Sequence, residues 1–197
     1  MALSYRENYL RNASFHYPEY IPMHISISNA SWNQWRDEME EVVARHPLIW
    51  PGFEKGKRDW DSFDFGPAYT KGKPFRDAWG CVWETDIDGI EGVVVESPLA
   101  DWSNWDSWQA PDPLKTGDRR PVDWEEIRKV FAAAKERGDL TSGGLPHGFF
   151  FMRLTYLRGF ENMMVDMATE HPMLQKLIDV LYEHNRIIVD QYLAMDV

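Results

Sequence analysis

Apolar and polar positions along the chain change period several times, and each change predicts an element. Residues 2–16 place Leu3, Tyr9, Leu10, Ala13 and Phe15 at roughly helical spacing. Pro18 and Pro22 bracket a turn, and residues 21–27 then alternate, with Met23, Ile25 and Ile27 on one face and His24, Ser26 and Ser28 on the other. Period two predicts a first strand. Ser31 stands as a cap with Gln34 three residues on, so a helix is expected to about Arg45, ended by Pro47.

Residues 47–78 lose periodicity and read as a long ordered loop. Two β-like runs follow at 79–85 and 90–97. The residues between them, Asp86, Ile87, Asp88 and Gly89, are turn chemistry, so the pair predicts a β-hairpin. After a second loop at 98–122, Asp123 caps a helix to Gly138, with Glu125 and Glu126 where the helix dipole favours carboxylates. The short apolar run 148–152 reads as a buried strand. Helices at about 156–169 and 172–195 come next, the second striped by Leu174, Leu177, Ile178, Leu181, Ile188, Val189 and Tyr192. Strands separated by helices predict an α/β protein with a parallel sheet.

Composition narrows the functional classes. The chain has 197 residues, enough for one domain but short of the ~250 of a full (β/α)8 barrel. Its formal net charge is -11, and the densest basic stretch, Lys55, Lys57 and Arg58, is followed by Asp59 and Asp61, which argues against a nucleic-acid partner or an anionic membrane surface. A lone cysteine, Cys81, excludes an internal disulfide and points to a reducing compartment. No apolar run approaches the ~18–20 residues of a membrane span, and the charged N-terminus lacks a signal-peptide core, so the expectation is a cytoplasmic protein. Ten tryptophans are unusual. Trp79, Trp83, Trp102, Trp105, Trp108 and Trp124 concentrate in the middle third, either as a stacking surface for a ring ligand or as anchors of long loops.

The segments YIPMHISIS (20–28), DAWGCVW (77–83), ESPLADW (96–102), the 111–113 turn and above all GFFFMRLTYLRGFENMMVDMA (148–168) follow one linear order. In that order the chain resembles the uroporphyrinogen decarboxylase superfamily, in its divergent "RGFEN…D" subgroup, which also resembles cobalamin-dependent methyltransferases. The resemblance implies a single domain over 1–197 that forms the N-terminal portion of a (β/α)8 TIM-type barrel with an inserted β-hairpin, ending before the barrel would close. It implies a decarboxylase-like carboxy-lyase acting on a tetrapyrrole-related small molecule. The methyltransferase branch would instead imply a zinc ion and a methyl-corrinoid partner, the ligands lying mostly in the barrel's second half, so that no metal or cofactor site is expected in this chain. Strand edges left by an open barrel would pair, making a homodimer one expectation.

By the resemblance, Asp77 aligns near the family's pyrrole-binding aspartate and is the first catalytic candidate, against its reading as a turn or cap residue. His24, on the polar face of the first strand, is the second; a structural histidine is the alternative. Asn29 lies just past that strand, where barrel enzymes place catalytic groups. Arg153 and Arg158 follow the 148–152 run. Arg153 is the candidate anion binder, and either arginine can pair instead with Glu161 or Asp166. Glu161 completes the substrate-binding candidates, with helix-dipole stabilisation as its alternative role. Where family decarboxylases carry arginines after the first strand, this chain has Ile27, Ser28, Asn29, Ala30 and Ser31. The family's tyrosine falls near Met164 or Val165, so its role is not carried over. A third class of function remains: an aromatic-rich, non-catalytic binding domain.

Overall fold

The computed structural model describes residues 3–61, 64–117 and 119–196. The elements are α1 (Tyr5–Ala13), α2 (Asn29–Ala44), β1 (Phe75–Arg76), β2 (Val82–Glu84), β3 (Val93–Glu96), α3 (Trp124–Glu136), α4 (Phe151–Arg158), α5 (Phe160–Ala168) and α6 (Pro172–Leu193), with short 3-10 turns at Pro67–Tyr69 and Trp102–Ser107.

The starts of α1, α2 and α3 follow capping chemistry. Ser4 Oγ accepts from Glu7 N, and Asp123 accepts from Glu126 N, as expected for α3. On α2 the cap is Ser28 rather than Ser31: its hydroxyl accepts from Ser31 N at 3.1 Å, and the helix begins three residues earlier than the spacing predicted. The same helix is kinked at Arg36, whose φ is 40°.

The expected hairpin is present. β2 and β3 pair antiparallel, Trp83 opposite Val94 and Glu84 opposite Val93, and β1 adds a third antiparallel strand with Phe75 opposite Trp83. Gly92, just before β3, lets the two strands approach: a Cβ there would overlap Glu84 O. This three-stranded sheet is the only sheet among the described residues and contains no parallel pair.

Two predicted strands are differently built. Residues 21–28 join no ladder among the described residues, and Met23 and Ile25 are exposed. Side-chain hydrogen bonds to the segment and to the two residues before it hold it instead. Buried Asn8 donates to Tyr20 O at 2.9 Å and accepts from Glu19 N at 2.7 Å, and Trp50 Nε1 donates to Ile25 O. Alternation marks a face that can be buried; it does not supply the neighbouring strand. The run 148–152 is a turn over residues 148–150, with φ of 89° at Gly148 and 35° at Phe149, followed by the first two residues of α4. A short apolar run fits the start of a helix as well as a strand, and here Phe149 and Phe151 stay exposed.

The core is formed where the sheet meets α4, α5 and α6. Trp79, Cys81, Trp83, Leu99, Leu154, Leu157, Met163, Leu174, Leu177 and Leu181 make one buried cluster. Arg158, Asn162 and Asp166, three of the four polar residues of the RGFEN…D segment, lock the 97–108 loop onto it. The buried Arg158 Nε donates to Asp166 Oδ2 at 2.7 Å, its Nη1 reaches the carbonyls of Leu99 and Ala100, and Asn162 also donates to Ala100 O. α3 packs on the end of α6 through Trp124 and Phe131, both against the ring of Tyr192. Outside the core the chain is open: it presents 13232 Å² to solvent, and Phe160, Met164, Val165 and Met167 on α5 are exposed. Among the described residues, no helix is long and apolar enough to cross a membrane.

Candidate functional site

The loops on one side of this core leave a cavity of about 900 Å³, within the range of small-molecule sites. Its base is α6, through His184, Ile188 and Tyr192. Its walls come from the 65–69 turn, the segment between β2 and β3, the 113–124 stretch and residues 144–147. Trp124 fixes one wall by donating from Nε1 to Pro113 O at 3.0 Å. Gly89, at φ 81°, brings the hairpin turn against the start of α2, where an added Cβ would lie 2.7 Å from Ala30 N. That contact places Asn29 at the cavity.

The charge of the lining runs against the charge of the chain. Thirty-two acidic residues outnumber twenty-one basic ones overall. Yet the described lining residues include two arginines, Arg119 and Arg120, against one carboxylate, Glu91, with His147 and His184 beside them. Arg119 is the best-held of them. Its guanidinium lies over the rings of Trp83 and Tyr69, at 4.6 and 5.2 Å, donates to Tyr69 Oη at 2.8 Å, and pairs with Glu91 Oε1. Burial works against the charge on Arg119, but Glu91 and Tyr69 outweigh it and hold the guanidinium above its ordinary pKa. Glu91 Oε2 in turn faces His147 Nδ1 at 3.9 Å. His184 is nearly buried, with its ring 4.6 Å from that of Trp79 and its Nδ1 3.2 Å from Pro111 O.

The sequence candidates divide between three places. Asp77 and Arg153 are brought together in the core beside the cavity, outside its lining. Asp77 organises the β1–β2 turn: Oδ1 accepts from the amides of Trp79 and Cys81, both at 2.9 Å, and Oδ2 accepts from Trp83 Nε1 at 2.8 Å. Arg153 Nη1 lies 3.6 Å from Asp77 Oδ2, its guanidinium sits 5.0 Å from the Trp79 ring, and Nη2 donates to His147 O. Burial pushes the Asp77 carboxyl above its ordinary value, against the pull of Trp83, Cys81, Arg153 and Trp79. The pair therefore supports the wall residue His147 from behind. Asn29 lines the cavity. His24 is exposed on the unpaired 21–28 segment, and Glu161 is exposed in the first turn of α5, both away from the lining.

The tryptophans act mainly as loop anchors. Trp79 stacks on Trp108, whose Nε1 donates to Trp79 O, and Trp108, Trp105 and Trp102 form a chain of ring contacts that ends on His171. Cys81 is fully buried with Sγ 3.4 Å from Tyr156 O. Among the described residues no three His, Cys, Asp or Glu side chains cluster as a metal site would require.

Tyr69, Glu91, Arg119 and His147 were not among the sequence candidates. One signal was there to be read: residues 119 and 120 are the only adjacent arginines in an acidic chain. No family model matches the chain, and neither a curated protein nor a solved structure matches it.

Proposed function

We propose that the chain binds a flat, carboxylate-bearing ring substrate in this cavity and belongs to a uroporphyrinogen decarboxylase-like carboxy-lyase, built on a barrel of the (β/α)8 type. The observation that carries the reading is the reversal of charge: a chain of net charge -11 gathers Arg119 and Arg120 in an aromatic-walled cavity. Fixed guanidinium groups are what a polycarboxylate needs, and aromatic walls are what a planar ring needs. The resemblance of residues 148–168 to the decarboxylase superfamily supports the tetrapyrrole class among such ligands.

In this reading the arginines hold substrate carboxylates, and Asn29 offers an amide at the rim. Asp77 and Arg153 are positioning residues that keep the β1–β2 turn and His147 in place. Trp83 and Trp124, near the arginines and in the cavity wall, supply a fluorescence signal. Titration with coproporphyrin should quench tryptophan emission saturably, and incubation with uroporphyrinogen should release carbon dioxide. Quenching without turnover would leave a binding domain; absence of both would refute the tetrapyrrole reading.

A further inference from the structure

Arg119 carries a guanidinium edge that is only half used. An arginine presents a carboxylate with two parallel donors along one edge, Nε and Nη2, and a bidentate carboxylate takes both. Here Nη1 is committed to Tyr69, and Nη2 to Glu91 Oε1. The buried Nε has no hydrogen-bond partner among the described residues. Glu91 thus fills one of the two positions on that edge, and its other oxygen is turned toward His147 Nδ1, 3.9 Å away. Trp83 and Tyr69 flank the guanidinium and fix its plane, so the edge is preorganised whichever carboxylate sits on it.

We infer that the Nε/Nη2 edge of Arg119 is a carboxylate subsite of the cavity, and that Glu91 is an internal stand-in which an incoming carboxylate displaces. This rests on reading the cavity as the ligand site. A ligand carboxylate gains both donors where Glu91 holds one, and Glu91 retains an alternative partner in His147. Glu91 therefore acts as a selectivity residue. A neutral ligand cannot displace it, because nothing would replace the negative charge on a half-buried guanidinium. The exchange moves no proton and breaks no covalent bond.

The probe is pyrene-1-carboxylate, with pyrene-1-carboxamide as its neutral counterpart, titrated into the 197-residue chain by fluorescence. Removing the competing carboxylate raises the fraction of protein with the edge open, so Glu91→Gln should bind the carboxylate about tenfold tighter. Arg119→Lys, which keeps the charge and loses the fork, should weaken binding about tenfold or more. In the Glu91→Gln/Arg119→Lys double variant the tightening should vanish. The neutral amide, which cannot form the charge-assisted fork, should tighten less than the carboxylate in Glu91→Gln and weaken less in Arg119→Lys.

Equal tightening by Glu91→Gln with and without Arg119 would reduce the effect to a general field and overturn the subsite. So would wild-type affinity in Arg119→Lys, or absence of carboxylate binding by both the wild type and Glu91→Gln. If pyrene-1-carboxylate follows the expected order while coproporphyrin does not bind, the subsite stands and the tetrapyrrole reading falls. If coproporphyrin binds but neither ligand responds at positions 91 and 119, the reverse holds.

Discussion

Replacing Arg153 with methionine takes the cation away from Asp77 and leaves a buried carboxylate behind. The two groups are 3.6 Å apart, with side-chain exposures of 4% and 1%. At an effective dielectric of 20 their attraction is about 4–5 kcal/mol, and part of it is offset because the guanidinium no longer has to be desolvated. A net loss of about 3 kcal/mol at pH 7 is expected, in line with breaking a buried pair from one side. The pH dependence gives the loss its signature. Burial already raises the Asp77 carboxyl in the wild type, and an opposite charge at this range accounts for about 1–3 pKa units, so the variant's folded-state value rises further.

Above that raised value Asp77 is ionised in both proteins and the full penalty is present. As pH falls through it, Asp77 takes up a proton in the folded variant first, and the gap to wild type shrinks by about 1.4 kcal/mol per unit until the wild-type value is reached. Urea denaturation of both proteins between pH 4.5 and 8 measures this directly. A penalty below about 1 kcal/mol, or one independent of pH, would show that the pair is not coupled and refute the reasoning.

Three further outcomes follow from contacts described above. Arg158→Lys keeps the charge but loses the fork that spans Asp166 and the carbonyls of Leu99 and Ala100, and should cost about 2–4 kcal/mol by urea denaturation. Gly92→Ala places a Cβ against Glu84 O, a backbone atom that cannot turn aside. It should cost about 3 kcal/mol and weaken the near-ultraviolet circular dichroism of Trp83. Asn8→Ala removes the three hydrogen bonds that seat residues 19 and 20. It should cost about 1–3 kcal/mol and speed proteolysis within the 15–28 segment, and unchanged cleavage would show that Asn8 does not tether it.

The elements legible in the sequence are those whose signals are local. The Asp123 cap and the acids after it define α3, the apolar stripe defines α6, and the Asp86–Gly89 turn announces the β2–β3 hairpin. Residues 21–28 show the right alternation and no sheet, because a strand needs a partner the pattern does not name. Asp77 was singled out by resemblance as a group that meets substrate. Its surroundings show a carboxylate saturated by Trp79, Cys81 and Trp83, donors that share its own turn and strand. The cavity was not legible at all. Tyr69, Glu91, Arg119 and His147 are up to 78 residues apart in sequence, and only the packed loops bring them to one place.

The 13232 Å² that the chain presents to solvent has a thermodynamic consequence. A compact protein of 23.1 kDa exposes about 9,700 Å², and its unfolded chain about 33,500 Å². This molecule therefore hides about 60% of its unfolded surface, the fraction expected of a domain of roughly 60 residues. The surface released on unfolding is about 15% smaller than chain length implies, so the urea m-value should fall by the same proportion. The heat-capacity increment should fall further, because much of the surplus is already-hydrated isoleucine, methionine and phenylalanine. The chain should melt as a smaller protein would, over a broader interval of temperature and denaturant.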